Sequence, residues 1–236
     1  MTNTDIANLA LSKVGGAGES ETGTGFITDI NSATDKVAKQ CAFLMPRCRE
    51  KVITELAFLK CPFRETLRYA DLGAQVADDD LPEVGTYAYA FNIPGDCFAI
   101  VGQINESYLA TGQKQEYKYE VILNKLGNGK LLLTNDLTNA DGTSSFIEYV
   151  INQTNTVIFS MAFIECIATL LAAELCPLIG KKYEMRQTML IEYKQLSIPS
   201  AKAFNQSQFN NYAKEVDSYL GGRENNLQTL RTYSAE

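Results

Sequence analysis

Cys97 directly follows Asp96 at the end of the stretch TYAYAFNIPGDC, residues 86–97. A thiol beside a carboxylate on a turn is raw material for a nucleophile, provided a neighbouring base takes its proton. The usual base is missing, because none of the 236 residues is histidine. That absence also removes the commonest zinc ligand and the usual partner of a catalytic serine. Acid–base chemistry by a carboxylate stays open, with Glu165 or Asp96 as the base. Asp78, Asp79 and Asp80 lack the spaced ligands of a calcium loop and read as a solvated stretch. GGAGESETGTG, residues 15–25, matches neither GxGxxG nor GxxxxGK[ST] and follows no strand, so it reads as a loop, not a phosphate cradle. No cofactor, metal site or catalytic residue is assigned.

The six cysteines suggest three disulfides at first count. Cys41 and Cys48 lie seven residues apart on one helical stripe, roughly 10 Å along the axis, which is beyond disulfide reach. No CxxC pair occurs, and the opening MTNTDIANLALSKVGG has no basic start followed by an apolar core. Small buried thiols in a reducing compartment are the expectation. The net charge is −7, and lysine and arginine read as scattered, with no basic face to grip phosphates.

The elements that would position these residues follow from periodicity. TDIANLALSKV, residues 4–14, reads as a helix capped at Thr4 and stopped at Gly15 and Gly16. Val37, Cys41, Leu44, Cys48, Val52, Leu56 and Leu59 form a long apolar stripe, which Pro46 is expected to kink or divide. From Gly85 the period changes to two. TYAYAF, FAIVGQI, YKYEVI, KLLLT and SFIEYVI read as five strands, with turns at Pro94-Gly95, at residues 127–129 and at Asp141-Gly142. Helix returns at Ser160 in MAFIECIATLLAAELC, where Glu165 and Glu174 argue against a membrane span. Tyr183, Arg186, Met189, Leu190, Tyr193 and Leu196 outline a further helix ending at Ile198-Pro199. Phe209, Tyr212, Val216 and Leu220 outline another, stopped by Gly221-Gly222.

The fold class expected is therefore α+β: a helical bundle from the N- and C-terminal segments with an inserted antiparallel β domain. The boundaries are 1–80 for the first part of the bundle, 81–155 for the β insert, 156–220 for the rest of the bundle, and 221–236 for a flexible arm. Leu227, Leu230, Arg231 and Tyr233 are spaced as anchors that could order on a partner. Phe163, Ile167, Leu170 and Leu171, on a helix apolar nearly all round, are the candidate subunit-interface residues.

Several stretches together resemble the tail tubular protein A family of short-tailed phages, which are head-to-tail connector (adaptor) proteins. They are TDIANLALSKVGG at the start, MPRCREKVI at 45–53, CPF at 61–63, GTYAYAFNIPGDC at 85–97, LLLTN at 131–135 and LLAAEL at 170–175. Cys61 and Tyr87 stand where that family usually has tryptophan, and Met45 where it has an aromatic. The resemblance spans roughly residues 4–200 and makes Pro94, Asp96 and Cys97 a fold-marker turn. It implies a structural virion protein of the neck and tail, assembled in the host cytoplasm. Such a protein forms a homo-oligomeric ring, typically of twelve copies, beneath the portal protein. Tail, nozzle or fibre proteins attach on its other side. Genomic DNA passes through its channel without sequence-specific binding, and no membrane is involved. Two other readings stand beside it: a different neck or tail piece (stopper, tail terminator or fibre-holding adaptor), or a small cytosolic enzyme.

Overall fold

The structure, a computed structural model, describes residues 1–16, 25–76, 87–107, 115, 117–127, 129–181 and 183–207. Helix α1 (Asn3–Lys13) begins with a reciprocal cap: the Thr2 hydroxyl accepts from the Asp5 N–H, and the Asp5 carboxylate accepts from the Thr2 N–H. The cap therefore sits two residues before the expected Thr4, whose hydroxyl accepts the Ile30 N–H instead. At the other end Gly15 and Gly16 both take φ +76, a conformation only glycine adopts cheaply, and the Gly16 N–H closes onto the Leu11 carbonyl at 2.8 Å.

Helix α2 (Lys36–Phe58) starts at Asp35, whose side chain accepts from the Val37 and Ala38 N–H groups. It runs unbroken through Pro46, so of the expected kink or division the division does not occur. Pro46 and Ala42 are both exposed, so the Ala42 carbonyl that loses its helical donor can turn to water. The opposite side of α2, from Val37 through Cys41, Cys48 and Val52 to Leu56, is buried as the stripe predicted, but Leu59, its expected end, lies past the helix and is exposed.

Among the described residues six strands form, one more than the period-two pattern indicated. They are β1 (Leu67–Asp71), β2 (Tyr89–Asn92), β3 (Cys97–Ile104), β4 (Tyr119–Leu123), β5 (Lys130–Thr134) and β6 (Phe146–Ile151). They divide into two antiparallel three-stranded sheets, ordered β1-β6-β3 and β2-β5-β4. The first strand lies ahead of residue 81, in the stretch read as helical. LRYAD alternates weakly, and its partner β6 is distant in sequence, so the pairing left no local signal.

The sheets stack on the helices as three layers. On the β1-β6-β3 sheet, Leu67, Val101 and Val150 pack into the helical core, while Ile147 and Tyr149 face Leu132 of the second sheet. A buried polar clamp joins the two sheets. Gln103 donates to the Asp136 carbonyl at 2.8 Å and to Ser145 Oγ at 2.6 Å, and its own Oε1 accepts from the Thr134 hydroxyl at 2.8 Å. These groups satisfy one another, which removes the cost of burying them.

Helix α3 (Met161–Leu175) is capped by Ser160 and runs through the middle of the core. The Phe163 ring stacks on Phe63 with centroids 4.4 Å apart and meets Phe159 at 4.6 Å. Helix α4 (Tyr183–Glu192) passes into a π turn, Tyr193–Ser197, and helical backbone continues to residue 207. The expected stop at Ile198-Pro199 does not occur. The Ile198 N–H bonds back to the Tyr193 carbonyl, and this widened turn takes up the proline that follows. The extra residue also rotates Leu196 outward, to 62% exposure, and brings Ser197 and Ile198 inside.

Candidate interaction surfaces

The IPGDC corner folds as a turn between strands of different sheets. The Cys97 N–H bonds to the Pro94 carbonyl at 3.0 Å, and Cys97 is the first residue of β3. Its side chain is half-buried, and burial pushes the thiol up to about 11, with Lys130 pulling the other way and Asp96 adding to the rise. A thiol held protonated is a poor nucleophile. Asp96 accepts the Tyr149 hydroxyl at 3.4 Å, joining the turn to β6. Burial, then the charge and the bond of Asp96, raise the Tyr149 phenol.

Glu165, the other base candidate, is engaged in an ion pair. Lys13 Nζ lies 2.5 Å from Glu165 Oε1 and 2.8 Å from Glu192 Oε1, so one ammonium links α1, α3 and α4. Burial lowers the Lys13 pKa, but the hydrogen bonds and charges of the two carboxylates outweigh it, and the net shift is upward. Arg49, from the MPRCREKVI stretch, is buried and donates to Asn152 Oδ1 at 3.0 Å, while Asn152 donates to Glu50 at 2.9 Å. These contacts fasten α2 to the end of β6.

Phe163, Ile167, Leu170 and Leu171 are at most 1% exposed and belong to the chain's own core. They offer no surface to another copy. What the sequence could not reveal is that α1, α2 and α4 of the same chain already cover this helix. The anchors Leu227, Leu230, Arg231 and Tyr233 lie outside the described residues, as do Asp78, Asp79, Asp80 and the stripe from Phe209 to Leu220.

The outward face of α2 is the surface that reading for apolar stripes missed. Lys36, Lys39, Phe43, Arg47, Lys51 and Phe58 are all exposed. At 3.6 residues per turn they fall within about a third of the helix circumference. Phe58 is 83% exposed and Phe43 61%, and the Arg47 guanidinium lies 4.5 Å above the Phe43 ring. The acids of α2 point elsewhere: Glu50 bonds Asn152, and Glu55 accepts the Tyr193 hydroxyl at 2.8 Å. Cations that read as scattered along the chain are thus lined up by the fold. Their spacing of four, seven and eight residues from the aromatics was the available signal.

All six cysteines are free thiols, four of them buried. Among the described residues no group of three or more potential metal ligands converges, and no helix is long and apolar enough to cross a membrane. Compared with protein-family models and with curated proteins, the chain matches none.

Proposed function

We propose that the protein is a head-to-tail connector of a tailed phage: a ring-forming adaptor that joins the portal to the tail and surrounds the DNA path. The resemblance to the tail tubular protein A family is the starting point, and two of its stretches fall where layers of the fold meet. MPRCREKVI carries the Arg49–Asn152 contact, GTYAYAFNIPGDC turns from one sheet into the other, and LLAAEL lies in the central helix.

The observation that carries the reading is a set of large apolar side chains left on the outside. Phe58, Val157, Leu126 and Tyr183 are between 68% and 83% exposed, on helices and strand connections alike. Burying large apolar side chains removes roughly 25 cal/mol per Å², and a subunit built for assembly leaves that gain for its neighbours. In this account the side chains do no covalent chemistry. They hold layers and copies together, and the acidic balance of −7 repels the DNA that passes.

Purified chain mixed with purified portal protein tests the reading. Co-sedimentation of the two is expected, and deleting residues 223–236 is expected to abolish it while leaving the melting temperature unchanged. A full chain that never associates with the portal contradicts the connector role. Retained binding by the truncated chain contradicts a docking arm at Leu227, Leu230, Arg231 and Tyr233.

A further inference from the structure

We propose that the outward face of α2 is the surface on which a second copy of this chain docks. In this arrangement Phe43 and Phe58 serve as apolar anchors, and Lys36, Lys39, Arg47 and Lys51 pair with acids of the neighbour. The inference rests on the ring reading and gives that ring one of its two contact faces.

Charge selects the occupant. The chain has 28 acidic residues against 21 basic ones, yet every exposed charged residue of α2 is a cation. None of the ion pairs among the described residues involves these four. The acid surplus therefore lies on the rest of each copy. One concentration of it is the rim of the β layers around residues 135–145. There Ser144 Oγ donates to Asp71, the Ala140 N–H donates to Glu106 at 2.7 Å, and Asp136 and Asp141 lie in the same loop. A basic face on the helical layer and an acidic rim on the β layers form unlike patches, the condition for head-to-tail contacts that close into a ring.

The aromatics separate a protein partner from a nucleic acid. A phosphate backbone is held by cations, and Phe58, largely exposed, adds apolar surface that phosphate binding does not use. Phe43 and Phe58 lie roughly 22 Å apart along the axis. Two apolar anchors ringed by charge at that spacing suit a protein surface, where aromatics and arginine carry the binding.

The test places benzoyl-phenylalanine at position 43 of the full chain, and in a second protein at position 191, an exposed site on α4. Both are irradiated at high concentration and low salt, with and without an added DNA duplex. The expected result is a copy-to-copy cross-link from position 43. Lys39→Glu, Arg47→Glu and Lys51→Glu together should weaken it about ten-fold or more, and raised salt should weaken it too. The single reversals, all at exposed positions, serve if the triple variant melts early. Copy-to-copy cross-links from position 191 with none from 43 overturn the α2 face and leave the ring reading standing. No such cross-link from either position likewise overturns the α2 face, the ring being tested separately by assembly on the portal. Cross-linking from position 43 to the duplex in preference to protein overturns the second copy as occupant.

Discussion

The hydroxyl of Tyr193 donates to Glu55 Oε2 across 2.8 Å, tying the π turn that follows α4 to the far end of α2. Tyr193 is 1% exposed. Burial first, then the bond to Glu55 and its charge, push the phenol far above the ordinary tyrosine range, so it stays a donor. Tyr193→Phe should lower stability by about 1–2 kcal/mol, the cost of a half-buried carboxylate losing its donor. A shift of the urea midpoint with an unchanged slope is the measurement.

Lys13 gives a second, pH-dependent prediction. Its pKa is raised from 10.5 on folding, so its contribution is complete below the unfolded value and is lost as pH rises through the folded one. Lys13→Met leaves Glu165 and Glu192 without their shared cation and should cost about 1–2 kcal/mol for a pair this accessible. The difference from wild type should hold steady between pH 7 and 10 and shrink above that range. Thermal melts across the series check it.

Leu170 separates a core role from an interface role. It is 0% exposed in the single chain, so Leu170→Ala should cost about 2–5 kcal/mol of stability through the cavity it leaves. A variant that melts like wild type but fails to assemble would show that the helix serves the interface directly.

The thiols should be quiet in the folded protein. Burial pushes Cys41, Cys48 and Cys166 up to about 12 and Cys97 up to about 11. With iodoacetamide at pH 8 these four should react only after unfolding, at a rate set by the rare protein molecules that open. Peptide mapping reads the order, and rapid labelling of Cys97 in the folded state would contradict its half-buried place at the start of β3.

Much of this fold was legible because its signals are local. The α2 stripe, the Ser160 cap, the Gly15-Gly16 stop and the Pro94-Gly95 turn each lie within a few residues of what they determine. KLLLT, buried on both faces as β5, reads as a continuous apolar run for the same reason. What escaped was non-local. LRYAD becomes a strand only because β6 lies beside it, and the strands split into two sheets only when Leu132 meets Ile147 and Tyr149. The π turn is hidden by a helical pattern slipped by one residue. The cationic side of α2 escaped because reading for apolar spacing follows the inside of a helix and passes over its outside.

Electron microscopy of the chain mixed with purified phage portal protein is the decisive measurement for the proposed ring. A closed ring of twelve copies seated beneath the portal, with α2 of each copy against the next, is the expected result. A six-fold assembly, or single copies scattered on the portal without contact between them, would contradict it.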